Sequence, residues 1–245
     1  MRTDAKPTGT HQMSSADSHL GSNSGNKTKA IEKALAQLGE AAAQKKVEHI
    51  CSAYLSLRNA ARGMILNDLI ALANEALKVP VMPMVVSAFS HRHCFMCSNG
   101  TVRCDLCEGA GDIEAGRICP QCDGFGVTPC GFCRGTGWPD HDTIPSEIKA
   151  TVRERHVVHA NRDLQKLAEA FPRLLPEEME KVPLDQKNST ASWLMRLQSR
   201  LIDLIESGIV PEDEQTRYGS IADQIDRCLA ALRRLPPPPD QVTKE

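Results

Sequence analysis

Aromatic side chains are scarce in this sequence: Trp, Tyr and Phe together make up 4% of 245 residues, which argues against an aromatic-rich β-sandwich and favours a helical body. No apolar run approaches the roughly 18 residues needed to span a bilayer, so no membrane partner is expected. The N-terminus lacks the apolar core of a secretory signal. Asp4, Asp17 and the missing amphipathic face count against an organelle transit peptide. The expected location is therefore the cytoplasm, where thiols stay reduced. Charge of one sign is also missing as a block. The 29 basic and 31 acidic residues leave a formal charge of −2, so nucleic acid is not an expected partner.

What is present is mostly helical periodicity. Residues 1–27, rich in Ser, Gly, Asn and Thr, hold too little apolar surface to offset the entropy of ordering and read as a disordered tail. From Thr28, a candidate N-cap, to about Lys78, apolar residues such as Ile31, Leu35, Leu38, Ile50, Leu69 and Leu72 recur at helical spacing. Gly39 and Gly63 divide that stretch into two or three helices. Pro80 and Pro83 rule against helix throughout Val79–Ser90, which reads as an apolar connector closing a 28–90 region. After position 140 a helix is expected from Ser146, as N-cap, to about Phe171. A second should follow Ser189 or Thr190 and stop at Gly208, and a third should start near Pro211. Together they make a 141–235 helical region, and the proline run from Pro236 begins an exposed tail, 236–245.

Between the two helical regions, residues 91–140 carry eight of the ten cysteines as four pairs: Cys94/Cys97, Cys104/Cys107, Cys119/Cys122 and Cys130/Cys133. Two residues between cysteines form a tight turn that aims both sulfurs at one ion, and two such turns complete a tetrahedral four-sulfur site. Eight cysteines therefore predict two Zn²⁺ and no open coordination position, so a hydrolytic zinc enzyme is not expected and no catalytic residue is assigned. Eight thiolates around two Zn²⁺ also add four negative charges, which makes nucleic acid a still poorer partner. Spacing leaves the pairing open, since neighbouring pairs in sequence could share an ion. Glycines follow three of the pairs as Cys-x-x-Cys-x-Gly-x-Gly, at Gly109/Gly111, Gly124/Gly126 and Gly135/Gly137. They let the chain turn away from the metal into short strands, with Thr101–Arg103 and Val127–Thr128 as candidates for pairing. His91, His93, His156 and His159 read as solvent-facing or as supports behind the ligands, because eight cysteines already satisfy two ions. Cys51 and Cys228 lie in apolar helical patterns and read as core thiols.

This pattern resembles the cysteine-rich domain of DnaJ-type chaperones, and more closely the compact form without a J domain found in bundle-sheath-defective-type plastid assembly chaperones. The likeness covers about Cys94 to Trp138, under a fifth of the chain. It implies that Cys94, Cys97, Cys130 and Cys133 share one zinc and that Cys104, Cys107, Cys119 and Cys122 share the other. Asn99 and Thr101 stand where the family has glycines, which points to a different exit from the first turn. No histidine is followed by Pro-Asp, so a DnaK-type co-chaperone cycle is not implied. The expected fold is mainly α, with helical regions flanking a small DnaJ-like zinc-binding β-hairpin module.

The resemblance implies a non-enzymatic chaperone or assembly factor whose zinc arm and neighbouring apolar surface hold a client polypeptide. Two alternatives stand beside it. One is a dedicated protein–protein adaptor, a role in which anti-TRAP-like proteins show similar repeats, with homo-oligomerisation through the helices. The other is a zinc-regulated thiol-disulfide oxidoreductase, because Cys-x-x-Cys is also a redox motif.

Overall fold

The periodic apolar stripes form helices, and the chain is mainly α. A computed structural model describes residues 22–233, and contacts divide the chain into two compact units, Met1–Val81 and Met82–Glu245. The first unit holds α1 (Ser22–Ala43), α2 (Val47–Ala60) and α3 (Leu66–Leu77). Leu38 of α1 and Leu57 and Cys51 of α2 are wholly buried, with Tyr54, Leu69 and Ala73 nearly so. α1 starts six residues before Thr28, so that residue is interior rather than a cap, and Ser22–Lys27 are helical rather than tail. The rest of the expected N-terminal tail and the proline-rich tail lie outside the described residues. Gly39 is carried inside α1 without a break. The chain turns instead at Lys45, in left-handed geometry with φ +53°, and again around Gly63.

The stretch read as a connector is a helix, α4 (Val81–His91). Pro83 occupies its third position, and the first amides of any helix have no acceptor within it, so the missing N–H costs nothing there. Val85 and Phe89 are wholly buried, so the segment does not present the adaptable apolar surface its methionines would allow. No single helix among the described residues is long and apolar enough to cross a membrane; α3 and α4 reach that composition only as a broken pair.

Four short strands follow. β1 (Thr101–Arg103) pairs antiparallel with β4 (Val127–Pro129), and β2 (Asp112–Ile113) pairs antiparallel with β3 (Arg117–Ile118). The β2–β3 hairpin is thus nested inside the loop that β1 and β4 close. The expected pairing of Thr101–Arg103 with Val127–Thr128 is present in the register Val102 opposite Thr128.

The remaining helices are α5 (Ser146–Ala170), α6 (Pro176–Met179), α7 (Lys187–Glu206) and α8 (Glu212–Arg233). Ser146 is the first helical residue rather than the cap, which falls on Pro145, and α7 opens at Lys187, ahead of the expected start after Ser189 or Thr190. Leu194, Leu201 and Leu204 of α7 are wholly buried against Tyr218, Ile225 and Cys228 of α8, and Ala160, Leu164 and Leu167 of α5 complete the core. Gly208, with φ +65°, ends α7 as its position predicts, its amide reaching the Ile205 carbonyl at 3.0 Å.

Candidate metal centre

Nesting of the strand pairs decides which cysteines meet. β1 and β4 bring the first and fourth cysteine pairs together, and the β2–β3 hairpin does the same for the second and third. Cys94, Cys97, Cys130 and Cys133 form one group and Cys104, Cys107, Cys119 and Cys122 the other, with the sulfurs of each group all within 4.8 Å of one another. The amide of the leading cysteine in each pair donates to the last glycine of its partner turn or, in the first repeat, to Gly100: Cys94 to Gly137 and Cys104 to Gly126 at 2.9 Å, Cys119 to Gly111 at 2.9 Å, Cys130 to Gly100 at 2.8 Å. Four backbone bonds thus fix first-with-fourth and second-with-third pairing independently of the sulfurs.

The spacing within each group fits zinc. A tetrahedron with Zn–S bonds of about 2.3 Å has edges of about 3.8 Å. The separations Cys97–Cys133 and Cys104–Cys119 are 3.7 Å, and Cys107–Cys122 is 3.6 Å. All eight cysteines are free thiols in the disulfide sense, and seven of them are buried. Backbone amides support the charge that thiolates would carry: Gly100 to Cys97, Gly111 to Cys107 and Gly137 to Cys133 at 3.3 Å, and Gly126 to Cys122 at 3.2 Å. As thiols, the sulfurs of one site titrate apart. Burial pushes Cys122 up to about 12 and also raises Cys94 and Cys97. Burial acts in the same sense on Cys107, but hydrogen bonds from the Gly111 amide and the neighbouring thiols outweigh it and lower that thiol to about 7. A divalent ion that replaces the protons supplies what all four sulfurs of a site share. Each group therefore fits one Zn²⁺, giving two closed four-sulfur sites.

Glycine is required where paired turns cross. A Cβ on Gly126 would overlap the Gly109 carbonyl oxygen, and one on Gly111 would overlap that of Gly124. Gly126→Ala is expected to cost at least about 1–2 kcal/mol from left-handed strain alone. It should selectively weaken zinc at the Cys104 group, measured by chelator competition against the unaltered Cys94 group.

The first repeat makes the same kind of turn one residue later: in the others Glu108-Gly109, Asp123-Gly124 and Arg134-Gly135 have positive φ directly after the second cysteine, closed by amide-to-carbonyl bonds of 2.9, 3.0 and 3.1 Å. Asn99 and Gly100 both have positive φ, +53° and +95°, and Ser98 and Thr101 exchange backbone bonds at 3.1 and 3.2 Å. This is a two-residue hairpin turn of the primed kind, for which Asn-Gly is the strongest sequence signal. The signal stood in the sequence, hidden by counting Asn99 as a substituted glycine. Thr101 then starts β1, and its hydroxyl lies 2.9 Å from that of Ser192 on α7.

The module is not a free arm. Phe125 and Trp138, both 3% exposed, belong to the same core cluster as α5, α7 and α8. Arg200 of α7 donates to the Thr136 carbonyl at 2.8 Å, pairs with Asp163 of α5 at 2.6 Å, and lays its guanidinium 4.6 Å from the Trp138 ring centre. Arg196 reaches the Asn99 carbonyl at 3.4 Å. Burial of these groups supplements what the metal contributes.

None of the histidines among the described residues joins a four-sulfur group. His91 and His93 are exposed, as expected, with the His91 ring 5.1 Å from that of His159. His156 departs from the solvent-facing reading: it is wholly buried and stacks on Trp138 at 4.0 Å, acting as a flat ring within the core. Compared with known proteins, the chain matches no family model, no curated protein and no solved structure.

Proposed function

We propose that this protein is a non-enzymatic chaperone or assembly factor that holds a polypeptide on the tips of its zinc turns. The observation that carries this reading is where the module's apolar side chains point. Phe95, Met96, Leu106 and Phe132 occupy the positions between paired cysteines and are 74%, 55%, 51% and 46% exposed. A buried residue at such a tip would serve packing, whereas an exposed aromatic pair on a metal-braced frame offers a preformed grip at little entropic cost. The rings of Phe95 and Phe132 stand edge to face at 5.1 Å. The resemblance of the cysteine pattern to DnaJ-type zinc domains points the same way, as does the closed coordination, which leaves no metal position for a substrate. We place this activity in the reducing cytoplasm, where the sulfurs remain available to zinc.

The test is a holding assay on the zinc-loaded full chain. It should suppress aggregation of a chemically denatured model protein at near-stoichiometric ratios. A Phe95→Ser, Met96→Ser, Phe132→Ser variant that still carries two zinc ions should lose most of that effect. Failure of the unaltered protein to suppress aggregation sinks the proposal. Recovery of one stoichiometric folded partner in its place would favour the adaptor reading.

A further inference from the structure

We propose that the Cys104–Cys122 half of the module docks a cationic stretch of the held polypeptide, an assignment that rests on the holding function above. The two halves of the module differ in charge. From Cys104 to Asp123 the chain carries Asp105, Glu108, Asp112, Glu114 and Asp123 against Arg117 alone. The other half, Cys94–Arg103 with Val127–Trp138, has no carboxylate and two arginines. A loaded four-thiolate zinc site adds two negative charges to each half, so the Cys104 half stays the more acidic although Arg103 bonds the Glu108 carbonyl and Arg233 pairs with Asp123 at 3.2 Å.

Shape and chemistry coincide at the acidic end. A cleft of about 630 Å³ is lined by Leu106, Glu108, Asp112, Ile113, Glu114 and Arg117, beside Cys107. Glu108, Asp112 and Glu114 are exposed and form no ion pair among the described residues. Arg117 turns its Nε toward the Glu114 backbone carbonyl at 3.5 Å rather than to a carboxylate. Leu106 and Ile113 form an apolar wall under a rim of acids, which fits the aliphatic stem and charged head of lysine or arginine. Nucleic acid is repelled by the same field. A second copy of the chain is a poor fit to the apolar tips, because two rings and a methionine offer on the order of 400 Å² against ~800 Å² per partner in a stable interface.

The experiment uses the zinc-loaded full chain and two fluorescent peptides with the same leucines and phenylalanine, one carrying arginines and the other glutamates. Anisotropy titration at low ionic strength should give about tenfold tighter binding of the basic peptide, with the gap narrowing at high salt. The Glu108→Gln, Asp112→Asn, Glu114→Gln variant, with zinc content checked at two, should bring the peptides to near parity. Equal binding of both peptides by the unaltered protein overturns the docking assignment and leaves the holding function standing. A basic preference that survives in the variant overturns the placement in this cleft. Binding of neither peptide, with or without self-association of the chain, takes down both proposals.

Discussion

Stripping zinc from the full chain with a strong chelator is expected to unfold the module and to loosen the helices packed on it. Structural zinc contributes on the order of 10 kcal/mol or more to a small domain's folding, and the strands here are only two or three residues long. Two short strand pairs cannot hold eight thiols, seven of them buried, together without an ion. The effect should spread because Phe125 and Trp138 are shared with the core of α5, α7 and α8. Trp138 fluorescence should shift to the red as the ring meets water, and amides of α7 should lose hydrogen-exchange protection, while α1–α3, with a core of their own, keep theirs. The two sites should not be equivalent. Cys133→Ser removes the turn that carries Thr136 and Trp138 to Arg200, so it should disturb the helices. Cys107→Ser breaks the nested site and should leave Trp138 in place, each variant retaining one zinc. Unchanged fluorescence and exchange after metal removal would show that the module holds itself.

Arg200→Ala is expected to destabilise the second unit by about 3 kcal/mol, because it leaves the carboxylate of Asp163, only 16% exposed, with no ion-pair partner but the exposed Lys166 at 3.9 Å. At about 2–4 °C per kcal/mol for a unit of this size, the melting temperature should fall by about 10 °C. Removing both charges, as Arg200→Met with Asp163→Leu, should recover much of the loss, since the only partner left over, Lys166, is exposed to water. Trp138→Ala should cost a similar ~3–5 kcal/mol through the lost ring. Because Trp138 lies against Arg200, the paired variants Arg200→Ala and Trp138→Ala should fall short of additivity. Calorimetry of the four proteins checks this, and full additivity would mean that arginine and ring act independently.

Much of this arrangement is visible in the sequence where local rules act alone. The stripes of α7 and α8 and the stop at Gly208 follow from spacing and backbone preference, and so do the cysteine turns. The failures come where position or tertiary contact overrides composition. Pro83 looks like a helix breaker and is harmless, because it falls in the first turn of α4. Ser22 opens α1 although no apolar residue marks the spot, so Thr28 drew the boundary instead. Asn99-Gly100 is a hairpin turn set one residue later than the equivalent turns of the other repeats, so aligning its glycines with theirs conceals it. The docking of the module leaves no local trace: Phe125, Trp138, His156, Asp163 and Arg200 are scattered through the chain, and only the fold brings them together. Pairing of the cysteine groups is similarly non-local and depends on one hairpin nested inside another.

The most direct test of the account is zinc X-ray absorption on the purified full chain, together with metal analysis. Two zinc ions per chain, each with four sulfur neighbours at about 2.3 Å, are the expected result. A chain that folds without zinc, or a spectrum requiring nitrogen or oxygen ligands in place of sulfur, would contradict it.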